Sequence, residues 1–276
     1  MKKKNRFGSR LFEGLIFLFL YAPIFVLIVF SFNEKRSRTV YEGFTLDWYE
    51  KLFNNESIMN ALSVTLLVSA IAAVVATIAG TFTAVGLYSI KRRPRDAILA
   101  VNNIPVINAD IITGVSLSLL FVSAFSILQR VFGIYIELGF GTLLIAHITF
   151  NIPYVILSVL PKLRQLDKNL FEAAQDLGCT WFQAFFKVIL PEIRPGIVNG
   201  LIMAFTLSVD DFVISYFTAG SNVQTLSMEI YAMTKRRISP EINALSTLLF
   251  LTVLILLIII NVREAKQEKA ALNKHL

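Results

Sequence analysis

Residues 61–90 read ALSVTLLVSAIAAVVATIAGTFTAVGLYSI, an apolar run of 30 residues without a charged side chain. The basic sequence KRRPR follows at once, at residues 91–95. Since about 20 apolar residues suffice for a helix to cross a bilayer, this run predicts a membrane-spanning helix with a cationic end. Its length also predicts a tilted helix, or one that extends beyond the membrane.

The rest of the chain has the same character. Its 276 residues are 55% hydrophobic and 16% charged, with a mean hydropathy of +0.66. The first apolar run, residues 14–32, is too long for the apolar region of a signal peptide, and no cleavage site follows it. We therefore interpret it as an uncleaved helix. These runs predict an all-α integral membrane protein, with residues 1–276 forming one transmembrane domain. Its six expected helices cover residues 11–32, 61–90, 97–125, 138–160, 195–217 and 244–262.

The distribution of lysine and arginine predicts the orientation. If the N-terminus is cytoplasmic, 18 of the 26 basic residues fall on the cytoplasmic side and eight fall outside. This bias favours two cytoplasmic termini, with the loop 161–194 also in the cytoplasm. We therefore attribute the net charge of +7 to membrane orientation and lipid contact, and not to nucleic-acid binding. The single cysteine, Cys179, excludes an internal disulfide.

The cytoplasmic loop contains signals for two short helices. Asp167 is a candidate N-cap for a helix over 168–177, which Gly178 would stop. Thr180 and Gln183 have capping-box spacing for a second helix over 181–190. Proline residues 191 and 195 would end that helix and start the fifth span. Taken alone, these signals are also compatible with a plain amphipathic loop.

Three acids lie within the predicted spans: Asp110, Asp210 and Asp211. Asp110 is 13 residues into the predicted third span, where Pro105 interrupts the helix nearby. An ionisable side chain at such a depth costs roughly 3 kcal/mol, so it normally faces protein or water. No lysine or arginine lies inside a predicted span, so a visiting cation or a partner subunit would supply the counter-charge. Protonation, or hydrogen bonding between helices, is the alternative.

Other polar side chains occur at comparable positions. Ser208 precedes the acid pair, and His147 and Asn151 lie one helical turn apart on the fourth span. We interpret His147 as a packing or hydrogen-bonding residue without a catalytic role. A metal site that combines Asp110, His147 and Asp210 lacks a short-spaced ligand motif, so we predict no metal.

The loop motif resembles a known pattern. Glu172, Ala173 and Ala174 are followed by Gly178 and then by Leu190-Pro191. This order resembles the EAA loop of the membrane subunits of bacterial ABC importers. The resemblance implies a type I importer permease fold and a short helix that docks on a cytoplasmic ATPase. The six motif residues, Glu172, Ala173, Ala174, Gly178, Leu190 and Pro191, would form this coupling site.

Several further runs resemble the polyamine branch of that family. They include Asp47-Trp48-Tyr49, residues 147–150 (HITF), residues 205–211 (FTLSVDD) and residues 238–243 (ISPEIN). The resemblance implies a permease for spermidine or putrescine in the bacterial cell membrane. It further implies a second, different permease subunit, a homodimeric ATPase and an extracytoplasmic polyamine-binding protein. The residues expected along the substrate path are Asp110, Ser208, Asp210, Asp211 and Trp48.

The sequence predicts a protein that is not itself an enzyme. No G-x₄-G-K-[ST] pattern occurs, so ATP and Mg²⁺ would be bound by the partner ATPase and this chain would have no cofactor of its own. Two alternatives stay open. One is a permease of the same superfamily for another solute. The other is an ion-coupled secondary transporter that uses the intramembrane acids as a relay, which would leave the EAA pattern unexplained.

Overall fold

The computed structural model describes residues 6–35, 40–167, 169–235, 240–252, 254, 255 and 258, with only the backbone for residues 6–11. In chain order the helices are α1 (Arg6–Phe30), α2 (Asp47–Phe53), α3 (Glu56–Ser89), α4 (Arg92–Asn102), α5 (Ile104–Ile107), α6 (Asp110–Phe132), α7 (Phe140–Gln165), α8 (Leu170–Asp176), α9 (Trp181–Ala184), α10 (Leu190–Asp210), α11 (Val213–Thr218), α12 (Leu226–Lys235) and α13 (Glu241–Thr252). A π-helical turn, Phe185–Ile189, joins α9 to α10.

Among the described residues, five helical stretches are long and apolar enough to cross a membrane. They are Phe12–Phe30, Glu56–Ser89, Asp110–Phe132, Phe140–Gln165 and Trp181–Asp210. The helical membrane fold expected from the apolar runs is therefore confirmed. The sixth predicted helix, 244–262, begins within α13 and continues beyond the described residues. The number of spans and the cytoplasmic position of the termini stay predictions.

The chain forms two compact units, one made of Met1–Met59 with Ile230–Leu276 and the other of Asn60–Glu229. In the first unit, Asn33 organises the segment after α1. Its carbonyl accepts a 2.7 Å hydrogen bond from the indole Nε1 of Trp48, and its Oδ1 accepts a 2.7 Å bond from the backbone N–H of Glu42. Phe32 stacks on Phe44 beside this turn.

The core of the second unit lies where α7 meets α3 and α10. Val155, Ile156, Val159 and Leu163 of α7 are buried there. Glycine permits the close approach of these helices. A Cβ atom at Gly80 of α3 would lie 2.7 Å from Val155 Cγ1, and one at Gly196 of α10 would lie 2.9 Å from the Ser158 carbonyl. Glycine residues of α3 and α10 therefore let both helices pack closely against α7.

The third predicted helix, 97–125, is wrong as a continuous element. The structure places α4, α5 and α6 in this region, and the membrane-length helix runs from Asp110 to Phe132. Pro105 has no backbone N–H to continue α4, and the backbone at Asn108 and Ala109 is extended. Asp110 therefore lies in the first turn of a helix, and its depth cannot be counted along one rod from residue 97.

The fifth predicted helix, 195–217, is also wrong at both ends. Proline residues 191 and 195 do not end the preceding helix, because helical structure continues from Trp181 to Asp210. Each proline removes one backbone donor, and the π-turn Phe185–Ile189 changes the hydrogen-bond register immediately before Pro191. Beyond Asp210 the chain becomes extended, and α11 begins as a separate helix at Val213.

Candidate functional site

The break between α10 and α11 is built around Asp211. Its backbone is extended, with φ −64° and ψ 126°. Its carboxylate accepts hydrogen bonds from two backbone N–H groups of the next helix, Ile214 at 3.2 Å and Ser215 at 2.7 Å. An acid that satisfies the free donors of a helix start favours a new helix at this point. The sequence thus breaks the helix by capping the second segment.

The side chain of Asp211 is enclosed. It is 8% exposed, its Oδ2 also accepts a 2.9 Å bond from the Ser215 hydroxyl, and His147 Nε2 lies 3.5 Å away. The Asp211 carbonyl accepts a 2.5 Å bond from Ser227 Oγ. Asp211 therefore has enough partners within the second unit to explain its burial.

His147 on α7 connects both sides of the break. Its Nδ1 is 3.0 Å from Ser208 Oγ on α10, and its Nε2 is 3.1 Å from Ser215 Oγ on α11. Asn151, one turn further along α7, donates a 2.8 Å bond to Ser208 Oγ. We call this set the His147 network: His147, Asn151, Ser208, Asp211 and Ser215. The prediction of a hydrogen-bonding histidine is confirmed, but spacing alone did not reveal its partners.

Asp210 lies in a different environment from its neighbour. It is exposed at the end of α10, and Asp110 is exposed in the first turn of α6. Asp211 follows Asp210 directly, and Gly114 of α6 brings the helical turn that begins at Asp110 against α11. The structure thus brings the three predicted acids together, with two carboxylates exposed and one enclosed.

A glycine contact positions Asp110 relative to the break. A Cβ atom at Gly114, one turn after Asp110, would lie 3.1 Å from Phe217 Cδ2 and 3.4 Å from the Ile214 Cα. A side chain at this position would require its neighbours to shift by a few tenths of an ångström, so glycine favours the close approach of α6 to α11. The start of α6, and with it Asp110, is therefore held beside the broken helix.

Trp48, expected on the substrate path, lies in the first unit. Trp48 is 4% exposed, its indole N–H donates to the Asn33 carbonyl, and the Lys51 ammonium lies 4.5 Å from the centroid of its ring. These contacts give Trp48 a structural role there. A role on the path stays a prediction.

The EAA motif lies on and around α8. Glu172 and Ala173 are exposed, whereas Ala174 is buried. Gly178 has φ +88°, a conformation that side chains rarely adopt. It stops the helix by donating to the Gln175 carbonyl at 2.8 Å, while Cys179 donates to Ala174 at 3.1 Å. Of the two remaining motif residues, Leu190 is half-buried and Pro191 is exposed.

The capping predictions for this loop have mixed outcomes. The capping box is confirmed, because Gln183 N donates to Thr180 Oγ1 at 3.4 Å and Thr180 N donates to Gln183 Oε1 at 3.0 Å. The N-cap prediction is wrong, because α8 begins at Leu170. Asp167 instead accepts a 3.0 Å bond from Asn169 N, which forms a turn before the helix.

Aromatic side chains connect α8 to the fifth membrane helix. The sequence alone did not predict this contact. Trp181 contacts Phe171 of α8 edge-on, with ring centroids 6.3 Å apart, and stacks on Phe185 at 5.8 Å. Phe185 is buried in the core beside α7. The aromatic spacing 181, 182, 185 and 186 was the available signal. These ring contacts join α8 to the helical stretch Trp181–Asp210.

Membrane helices that break beside ionisable side chains are typical of the solute sites of membrane transport proteins. The family model described as binding-protein-dependent transport system inner membrane component matches residues 76–264. The chain belongs to this family of inner-membrane proteins.

Individual proteins give the same result. The chain is 38% identical to the spermidine/putrescine transport system permease protein PotC of Escherichia coli strain K12, covering 90% of each chain. It is 40% identical to the putrescine transport system permease protein PotI of the same strain, covering 84% of this chain and 82% of PotI.

Solved structures show the same fold. A bacterial ABC transporter that imports the acidic polysaccharide alginate matches with TM-score 0.71 and 17% identity, covering 94% of each chain. An amino acid ABC transporter matches with TM-score 0.52 and 20% identity, covering 79% of this chain and 99% of the other. These two likenesses concern the fold alone.

Proposed function

We propose that this chain is a membrane-spanning permease subunit of an ATP-driven ABC importer that moves spermidine or putrescine into the cytoplasm by alternating access. The observation that carries the proposal is the pair of exposed carboxylates, Asp110 and Asp210, beside a broken helix. The naming of PotC and PotI as polyamine permeases supports the same substrate class.

The two carboxylates suit a solute with several positive charges. Among the described residues, neither Asp110 nor Asp210 forms an ion pair with lysine or arginine. Two unit charges 4 Å apart attract by about 1 kcal/mol in water and by about 4 kcal/mol at an effective dielectric of 20. A carboxylate that contacts an ammonium group therefore binds it more strongly once the path closes and water leaves. An anionic solute would be repelled at the same place.

The five predicted path residues divide into three roles under this proposal. Asp110 and Asp210 contact the polyamine directly, because they are exposed. Ser208 and Asp211 shape the path from behind, since both are buried in the His147 network. Trp48 supports the first unit, where its ring is already covered by Lys51.

Energy would come from other chains. We place the contact with a homodimeric ATPase on α8, through the exposed Glu172 and Ala173 and the turn at Gly178. That ATPase would bind ATP and Mg²⁺, and this chain would contribute no catalytic group. A second, different permease subunit would complete the path, and an extracytoplasmic binding protein would deliver the polyamine.

The test is ATP hydrolysis by the purified complex in lipid nanodiscs, with the binding protein either empty or loaded with spermidine or putrescine. The proposal predicts stimulation by the loaded form. An associated ATPase that does not respond to polyamine would overturn the substrate and favour another solute of the superfamily. The absence of any associated ATPase would favour the ion-coupled secondary transporter.

A further inference from the structure

The hydrogen bonds of the His147 network run in one direction. The Ser215 hydroxyl donates its proton to Asp211 Oδ2, so its oxygen is left to accept from the His147 Nε2–H. The ring then accepts at Nδ1 from the Ser208 hydroxyl, whose oxygen accepts from the Asn151 amide. A neutral imidazole with its proton on Nε2 satisfies every step of this chain.

The imidazole cannot serve as a solute ligand in this arrangement. His147 is 2% exposed, Ser208 is 3% exposed, and Ser215 is fully buried. Both ring nitrogens are occupied by serine hydroxyls, which also leaves neither free for a metal ion. Whatever His147 does for transport, it does through the residues that it holds.

The residues that it holds flank the exposed acid. Ser208 is the last α10 residue in the network, Ser215 lies within α11, and Asp210 lies between them beside the extended backbone of Asp211. Helix α11 has only six residues, too few to be stable without tertiary contacts. The angle between α10 and α11 therefore depends on groups that bind both helices, and His147 binds both from α7.

We propose that His147 is a positioning residue for transport. By bridging Ser208 to Ser215 it fixes the geometry of the α10–α11 break, and through this geometry it directs the Asp210 carboxylate into the path. The inference rests on the proposed function for the solute, but the geometry that His147 fixes can be tested without any solute.

The first experiment compares polyamine imported with ATP hydrolysed, in proteoliposomes that contain the whole complex. His147→Ala lowers polyamine imported per ATP by at least about tenfold, since small misplacements of binding groups have effects of this size. Stimulation of the ATPase by loaded binding protein stays within about twofold, because α8 is untouched. Equal losses of import and ATPase would indicate misassembly and would contradict a positioning role.

Matched variants make this reading specific. Among the described residues, the Thr149 hydroxyl on the same helix bonds only the Ile145 carbonyl. Thr149→Ala should therefore leave the ratio unchanged. Ser208→Ala and Ser215→Ala each lower the ratio in the wild-type background but not in the His147→Ala background, because the bridge is already gone. Additive losses would overturn the bridge. His147→Gln and His147→Asn restore part of the ratio, because the side-chain amide of each can replace one of the two serine contacts of the imidazole.

The second experiment is independent of the solute. Asp210→Cys is placed in a Cys179→Ser chain, and the alkylation rate of the new thiol is measured with a cationic reagent in the assembled complex. If His147 positions residue 210 by bridging Ser208 to Ser215, adding His147→Ala changes this alkylation rate severalfold. Adding Thr149→Ala does not. An unchanged rate would overturn the inference even if polyamine import is established. A changed rate without polyamine import would support the positioning role of His147 and contradict the proposed substrate.

Discussion

Asp210 and Asp211 are adjacent in the sequence, yet their carboxylates lie in opposite environments. Asp211 is 8% exposed and accepts from Ser215 and Ile214, whereas Asp210 is exposed at the end of α10. The extended backbone at Asp211 separates the two side chains. One acid therefore builds the broken helix, and the other is exposed where the proposed function places the solute.

This division predicts different effects of removing each acid. Asp211→Ala takes away the cap of α11 and should lower stability by about 0.5–2 kcal/mol for the cap alone. Asp210→Ala should leave stability nearly unchanged, because its side chain has no comparable set of partners among the residues that the structure describes. The apparent unfolding temperature of the complex in nanodiscs measures both. An equal decrease for the two variants would contradict the division.

The exposed acids should control import. Asp110→Asn combined with Asp210→Asn removes both charges that would meet an ammonium group, and each lost contact is worth about 1–4 kcal/mol depending on its exposure to water. Import of labelled spermidine should fall by at least about tenfold, the equivalent of 1.4 kcal/mol.

A suitable control for this double variant is Asp96→Asn. Asp96 is an exposed acid paired with Arg92 and Arg95 on α4, away from the break. It should import normally, since surface pairs contribute little. Normal import by the double variant, at equal amounts of assembled complex, would remove both acids from the path.

Charge reversal on α8 should uncouple the ATPase. Glu172→Lys places a cation on the exposed face that we assign to the ATPase contact, so stimulated hydrolysis and import should both fall. Asp167→Lys makes the same reversal in the turn before α8 and should have a smaller effect. Co-purification of the ATPase and its stimulated activity are the measurements. Unaltered binding and hydrolysis in Glu172→Lys would move the contact elsewhere.

The turn at Gly178 should be intolerant of a side chain. Its φ of +88° strains any L-residue, so Gly178→Ala should cost about 1–2 kcal/mol although no atom lies within 4 Å of the new Cβ. Gly86→Ala is the matched control, because Gly86 also has open space but lies in the regular helix α3. Gly178→Ala should weaken coupling while Gly86→Ala does not. Equal coupling in both would mean that the turn geometry is unimportant.

The sequence was sufficient for features that depend on composition. The run at 61–90 predicted α3 to within five residues at its start, and Thr180 with Gln183 predicted the capping box. Length and polarity decide such features locally. The same reasoning placed the acids within apolar segments and selected His147 as a hydrogen-bonding residue.

Features that depend on competing helix signals could be predicted only in part, because the sequence indicated the interruption at Pro105 but not its consequence for the bounds of the third helix. Pro105 breaks the third helix, but Pro191 and Pro195 lie within a helix that continues through a π-turn. Whether a proline ends a helix depends on the conformation of the backbone around it, and residue propensities do not predict that conformation. The capping role of Asp211 could not be predicted, because the N–H groups that it caps belong to a helix start inside an apolar run.

The proposed function requires polyamines to pass Asp210 on their way across the membrane. The most direct measurement is uptake of radiolabelled spermidine into proteoliposomes that contain the complex and loaded binding protein, with ATP supplied to the ATPase, for wild type and for Asp210→Asn. We predict ATP-dependent accumulation by wild type and a loss of at least about tenfold in the variant. Equal uptake by both, or wild-type uptake that needs an ion gradient and no ATP, would contradict the account.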